Sequence, residues 1–327
     1  MKNKQKNICL LIAGGTTLDD RKISETTITK ATDVSKWLKQ ISEAFLIAKI
    51  TPEYITSGHE DISGVKLWGK VSNYIFDNYD KYDGFVILFD LSEILFNGIA
   101  LSFSLQNLSK PVILTGSQLS DVDSPKKITE KKNKRDQLGV KSNLINAVQM
   151  ATMNFPAVGI LFGNQCVRPA KAIRSVNNSL NAFISADGSY LAKIDFGISP
   201  QEKLPSVNKK IKLVNDFEEK VAYLKYYPGF NIELLKGYLK ESQGFIIENL
   251  IDQPIPKQII NNLSLVKTPF VIYSKKFTRL NKKNLIEITN MTPETIMVKL
   301  MWSLPQVKNF EDLRVLMYRD VISELIE

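Results

Sequence analysis

Hydroxyl and carboxylate side chains gather at three turns of this sequence. They are Gly14-Gly15-Thr16-Thr17, Phe89-Asp90-Leu91-Ser92-Glu93 and Gly116-Ser117-Gln118. Each turn follows a short, continuous apolar run: Ile8 to Ala13, Phe85 to Phe89 and Val112 to Thr115. Such runs read as strands covered on both faces. The segment between the last two keeps Leu95, Ile99, Phe103 and Leu105 at helical spacing and stops before Lys110-Pro111, with Ser92 placed as its N-cap. A strand–helix–strand unit of this kind forces a parallel pair with a right-handed crossover. Ligands of open parallel sheets sit beyond the carboxyl ends of the strands, so these turns are where a ligand is expected. The glycines of the first turn let the backbone come close to it, although Gly-Gly-Thr-Thr is neither a dinucleotide nor a phosphate-loop pattern.

The elements that must position these turns follow in order. A helix is expected over Val34 to Ala44, a strand over Phe45 to Ile50, a loop over Pro52 to His59 and a helix over Ile62 to Asp77. Beyond Gln118 a long charged loop leads to a helix over Asn143 to Met153 and a parallel strand over Ala157 to Phe162. A hairpin over Gly163 to Phe183 carries Arg168, Lys171 and Arg174. Residues 193–215 are rich in Lys, Pro, Ser and Asn and read as a linker. Strands are then expected over Lys220 to Tyr226, Gly244 to Glu248 and Phe270 to Ser274, with helices over Ile232 to Leu239 and Pro256 to Leu265. Thr292-Pro293-Glu294 opens the last helical region, with Thr as N-cap, Pro in the first turn and an acidic residue beside it. The fold class is α/β: a larger N-terminal doubly wound parallel-sheet domain over 1–192 and a smaller C-terminal α/β domain over 216–327.

Composition excludes several classes of function. The chain of 327 residues is 44% hydrophobic and 24% charged, as ordinary globular proteins are. No apolar run approaches the roughly 20 residues of a membrane span. The basic start and apolar run of the N-terminus mimic a signal peptide, but Ile8 to Ala13 falls short of the roughly 7–15 residues required and runs into glycines. A first strand is the better reading, which places the protein in the cytoplasm. Cys9 and Cys166 lie in apolar strands and read as buried hydrophobes. With His59 the only histidine, ordinary zinc ligand sets are excluded, and His59 alone could serve a Ser-His-Asp triad. The net charge of +9 is concentrated in Lys126, Lys127, Lys131, Lys132, Lys134 and Arg135. No aromatic interleaves that run, so a solvated loop is favoured over a nucleic-acid site.

The whole chain resembles the L-asparaginase/glutaminase family, closest to its cytoplasmic type I form. Gly14-Gly15-Thr16 is similar to the family's first-strand turn, and Ile55-Thr56-Ser57 lies where the family has a substrate-binding Asp-Ser. Tyr82 to Leu88, Ala100 to Phe103, Lys110 to Gln118 and Asn143-Leu144 with Ala147 follow in register. Tyr227-Pro228-Gly229, Met291 to Glu294 and Lys299 to Trp302 match the smaller domain. The resemblance implies hydrolysis of the asparagine side-chain amide to aspartate and ammonia, with no metal or organic cofactor. It implies a homodimer or homotetramer and a small amide or amino-acid ligand; the charge pattern and the short apolar runs disfavour a nucleic-acid partner and give no membrane partner.

Carried over residue by residue, Thr16 fits the nucleophile, with Gly15, Ser57 and Ser117 at the ligand. A hydroxyl is a poor nucleophile until a group removes its proton, and a lysine does so only in its neutral form. The family's second set, Thr-Asp-Lys, is replaced here by Leu91, Ser92 and Arg174. Arg does not deprotonate in proteins, although it binds carboxylates bidentately. Asp90 replaces a glycine, Thr56 replaces the Asp beside Ser57, and no Tyr occurs between Thr17 and Glu53. Glu248 to Ile251 lacks the family's glycine-rich turn. Two readings follow. In one, a changed set works through Thr16, Ser92 and Lys171, with Asp90 or Glu93 as carboxylate and Arg174 on the ligand. In the other, the chain is a catalytically silent relative that binds a ligand or a protein partner.

Overall fold

The structure is a computed structural model. It describes residues 5–13, 38–39, 41–55, 64–116, 139–175, 181–201, 209–231, 236–251, 253–277, 280 and 282–326. The chain forms two compact units, Met1–Val214 and Asn215–Glu327.

In the first unit the strands and helices run as follows: β1 (Asn7–Ile12), α1 (Ser42–Ile47), β2 (Lys49–Tyr54), α2 (Gly64–Asp77), β3 (Gly84–Leu88), α3 (Ile94–Ser104), β4 (Leu105–Gln106) and β5 (Val112–Thr115). They continue with α4 (Gly139–Ala151), β6 (Val158–Phe162), β7 (Gln165–Val167), β8 (Ala172–Arg174), β9 (Phe183–Ser185), β10 (Ala192–Ile194), β11 (Ile198–Pro200) and β12 (Lys212–Leu213). The main sheet has the order β11-β10-β7-β6-β5-β3-β1-β2. Its β6-β5-β3-β1-β2 half is parallel. Every residue of β3, β5 and β6 is buried, which is why those runs read as continuous apolar stretches. Their side chains pack on α1 and α4 through Val86, Leu88, Ile113, Leu144 and Val148.

Three readings of this unit need correction. The second strand lies at Lys49–Tyr54, after a helix over Ser42–Ile47, and not at Phe45 to Ile50. Its Pro52 is tolerated because β2 is the edge of the sheet, where a missing N–H breaks no ladder on the open side. Ser92 does not cap α3. The cap position is Glu93, with no side-chain cap bond, and the Ser92 hydroxyl turns to Asp90. The 193–215 stretch holds β11, β12 and the end of β10, with β10 paired to β7 and β11 and β12 paired to β4. Strands of two or three residues are too short to leave a periodicity.

The second unit contains β13 (Val221–Tyr226), α5 (Lys236–Glu241), β14 (Gly244–Asn249), α6 (Lys257–Ser264), β15 (Phe270–Tyr273), β16 (Leu285–Ile288), α7 (Pro293–Ser303) and α8 (Phe310–Tyr318). The sheet β13-β14-β15-β16 is parallel throughout. One face packs Phe245, Phe270 and Ile260; the other packs Ile246, Ile286, Ile296 and Leu313. β16 carries Glu287 in a buried strand, a polar interruption that hides it from a search for apolar runs. The Thr292 side chain accepts Thr295 N–H and caps α7, as its sequence signature predicts.

Candidate active site

The strand order reverses at β1. From β1 the chain moves one way to β2 and then resumes on the other side with β3, β5 and β6. The crevice of such a sheet opens beyond the carboxyl ends at this point. Those ends lie level with one another. Ile55 N–H donates to Ile12 O at 3.0 Å, Ala13 N–H to Leu88 O at 3.1 Å and Phe89 N–H to Thr115 O at 3.1 Å. The chain leaving β1 enters Gly14-Gly15-Thr16, the chain leaving β3 enters Asp90 to Glu93, and the chain leaving β5 enters Gly116-Ser117. Gly15, Thr16, Ser57 and Ser117 lie outside the described residues, as do Thr56, His59 and the basic run 126–135.

The β3–α3 turn is organised by Asp90. Its carboxylate accepts the Ser92 N–H at 2.7 Å and the Ser92 hydroxyl. Its carbonyl accepts Glu93 N–H at 3.3 Å and Ile94 N–H at 3.1 Å. Aspartate closes turns in this way because its short side chain reaches the backbone two residues on. Leu91 is 6% exposed and puts an apolar side chain where a threonine is expected. Ser92 and Glu93 face solvent. Partial burial of the Glu93 carboxyl, and secondly the Asp90 charge, raise its pKa above the ordinary carboxylate value.

Lys171 ends a single 3₁₀ turn, Pro169–Lys171, between β7 and β8. That turn packs on α3 at Gly98, where an added Cβ would lie 3.0 Å from Pro169 Cβ. The glycine therefore permits the close approach. Gly98 is four residues past Ile94, about 6 Å along the helix axis from the start of α3. The Lys171 amine, however, donates to Asp187 Oδ2 at 2.7 Å, with both side chains largely buried at 14% and 13% exposure. Asp187 also accepts the Ser185 hydroxyl at 2.7 Å, Ser189 N–H at 2.9 Å and the Ser189 hydroxyl at 2.6 Å. Burial pushes the Asp187 carboxyl up, but hydrogen bonds from Lys171, Ser189 and Ser185 outweigh it and hold the group well below the usual carboxylate range. Arg174, at the end of β8 opposite Phe183, is exposed.

Among the described residues, then, the candidate groups form two sets, each bonded within itself. Asp90 pairs with Ser92, and Lys171 pairs with Asp187. No hydrogen bond among them joins the sets. A hydroxyl donating to a carboxylate is polarised, but the Lys171 amine is engaged by Asp187 and makes no bond to Ser92. Asp187 was not singled out from the sequence. Its only local signal is the Asp187-Gly188-Ser189 turn pattern. Among the described residues no group of three or more His, Cys, Asp or Glu could hold a metal ion, and no helix is long and apolar enough to cross a membrane.

The chain thus combines a doubly wound sheet, with polar turns at its switch point, and a smaller parallel α/β unit. A family model described as "Asparaginase, N-terminal" matches residues 7–205. The chain belongs to the asparaginase family. It is 26% identical over 319 residues to a subunit of the glutamyl-tRNA(Gln) amidotransferase of Pyrococcus abyssi, covering 88% of this chain and 69% of that one. It is 24% identical over 276 residues to the L-asparaginase of Thermococcus kodakarensis, covering 79% and 80%. Among solved structures, the thermostable L-asparaginase from Thermococcus kodakarensis aligns with a TM-score of 0.80 at 23% identity, over 98% of this chain and 99% of the other. L-asparaginase I from Vibrio cholerae aligns with a TM-score of 0.78 at 22% identity, over 99% and 100%. At these identities the structural likenesses show the fold.

Proposed function

We propose that this chain binds side-chain amides of the L-asparagine type at the β1/β3 switch point and hydrolyses them at a greatly reduced rate. The Thr16 hydroxyl forms the acyl bond, the C–N bond breaks to release ammonia, and water cleaves the ester to the carboxylate. Ser92, Asp90 and Glu93 act as ligand contacts beside Gly15, Ser57 and Ser117, and Arg174 meets a carboxylate. The reaction in this form needs no cofactor. The observation that carries the reading is the closure of both polar sets on themselves, which leaves Ser92 without an amine base. Loss of one proton-handling group commonly costs orders of magnitude in rate.

A second reading is a silent homologue that binds a small ligand or a protein partner. It is favoured by the buried Leu91 at the expected threonine position and by relatives named as one component of an amidotransferase. A homodimer or homotetramer and a cytoplasmic location accompany either reading. Ammonia release from L-asparagine and L-glutamine, with Thr16→Ala as control, separates the two. Slow release abolished by the substitution supports hydrolysis, and release that survives it removes Thr16 from the mechanism. No release with calorimetric binding of L-asparagine or L-aspartate supports the silent reading. Absence of both release and binding sinks the small-ligand site and leaves a partner sought by pull-down.

A further inference from the structure

We propose that Asn143 is a positioning residue that fixes the exit of β5 at Gly116 and thereby sets the affinity for the ligand. The proposal rests on the reading that a small ligand sits at the carboxyl ends of β1, β3 and β5. Asn143 lies in the first turns of α4 and is 2% exposed. Its Nδ2 donates to Gly116 O at 3.2 Å, and its Oδ1 accepts Gly163 N–H at 3.0 Å. Gly116 directly follows β5, and Gly163 directly follows β6. One carboxamide thus spans the exits of two neighbouring strands. A second bridge lies just below it, where the Thr115 hydroxyl donates to Leu161 O at 2.7 Å. Gly163 has φ +62°, a left-handed conformation that turns the chain at this point.

The chemistry restricts the residue type. The clamp needs a donor and an acceptor on one short side chain, which only asparagine supplies at this length. Aspartate keeps the bond from Gly163 N–H but sets a carboxylate against the Gly116 carbonyl. Alanine loses both bonds and leaves two buried backbone groups without them. Gly116 directly follows β5, so movement of its carbonyl moves the strand exit on which the proposed ligand site rests.

The opposite end of β5 provides the control. There the Tyr79 hydroxyl accepts Ser109 N–H at 2.7 Å and Lys110 N–H at 2.9 Å, pinning the chain as it enters the strand. Tyr79→Phe removes a comparable anchor from the same strand, away from the ligand end. The test is calorimetric affinity of Asn143→Ala, Asn143→Asp and Tyr79→Phe for L-aspartate and L-asparagine, well below each variant's unfolding temperature. Both Asn143 variants are expected to bind at least about tenfold more weakly, as loss of a buried hydrogen bond predicts, with Tyr79→Phe close to wild type. Asn143→Asp keeps the side-chain shape and serves if the alanine variant fails to fold. An Asn143 variant that binds as Tyr79→Phe does overturns the proposal. Hydrogen exchange over 112–116 and 158–164 tests the clamp without a ligand. Faster exchange confined to those segments in the Asn143 variants supports it, and unchanged exchange overturns it. Failure of the wild-type chain to bind either amino acid overturns the ligand site itself, and with it the effect on affinity.

Discussion

β1 of the larger sheet lies between β2 and β3, so the chain leaves it in one direction and later resumes on its other side; the four strands β13 to β16 of the smaller sheet follow sequence order. Both sheets use buried parallel strands joined by helices. The reversal alone opens a crevice at the carboxyl ends. The polar groups divide in the same way. In the larger unit Asp90, Ser92 and Glu93 stand at the mouth of the switch point, and Lys171 and Asp187 are slightly exposed. In the smaller unit Lys299 and Glu324 form an ion pair with no exposed side-chain surface. Lys299 also donates to Arg319 O, while Glu324 accepts Val321 and Ile322 N–H, so the pair ties the C-terminal segment to α7. Polar groups stand at the carboxyl ends of strands in one unit and close the chain on itself in the other.

That contrast makes graded predictions. The largest effect is expected from Lys299→Met, which leaves Glu324 buried without its partner and destabilises the chain by about 3–5 kcal/mol. Urea unfolding measures it, and the double variant Lys299→Met/Glu324→Leu should recover most of the loss. A single variant that unfolds as wild type does would break the assignment of this pair to chain closure.

Asp187→Asn comes next. It removes the charge that holds Lys171 and weakens a group that accepts four hydrogen bonds, at a cost of about 1–3 kcal/mol. The folded-state pKa of Asp187 is depressed, so its contribution is present above the unfolded value of 3.8 and is lost as pH falls below it. The stability difference between wild type and variant should therefore be full at neutral pH and close in that acid range. A gap that persists at acid pH would show that packing, not charge, sets the effect. If Lys171 is instead a working base, ammonia release should collapse in this variant together with stability.

Glu93→Gln should do least. The folded-state pKa of Glu93 is raised above 4.5, so its ionisation opposes folding progressively as pH rises from 4.5 through the folded value, and fully above it. The variant should gain under about 0.5 kcal/mol at neutral pH, since solvent screens an exposed charge, and the gain should vanish below pH 4.5. A loss at neutral pH would mean that Glu93 makes a favourable contact that the turn geometry does not reveal.

Much of the fold was legible because burial writes itself into local composition. Phe85 to Leu88, Val112 to Thr115 and Val158 to Phe162 are buried along their whole length and read as unbroken apolar runs. Thr292-Pro293-Glu294 announces α7 because capping is a short-range bond. The reading failed where neighbours decided. Pro52 sits in a strand because that strand is an edge, β16 was hidden by Glu287, and Ser92 is held by a carboxylate two residues back instead of capping α3.

The sequence by itself determined the α/β class, the family resemblance and the change of residue types at Asp90, Leu91, Ser92 and Arg174, because each is a property of residue identity and near-neighbour spacing. Only the tertiary structure decided what those residues do to one another. Lys171 meets Asp187 16 residues on, Asn143 bridges Gly116 and Gly163 at separations of 27 and 20, and Lys299 meets Glu324 at 25. Such partners are chosen by how the folded chain closes on itself. A charged or carboxamide side chain binds whatever complementary group the closed chain brings within about 3 Å, and no local pattern encodes which group that is.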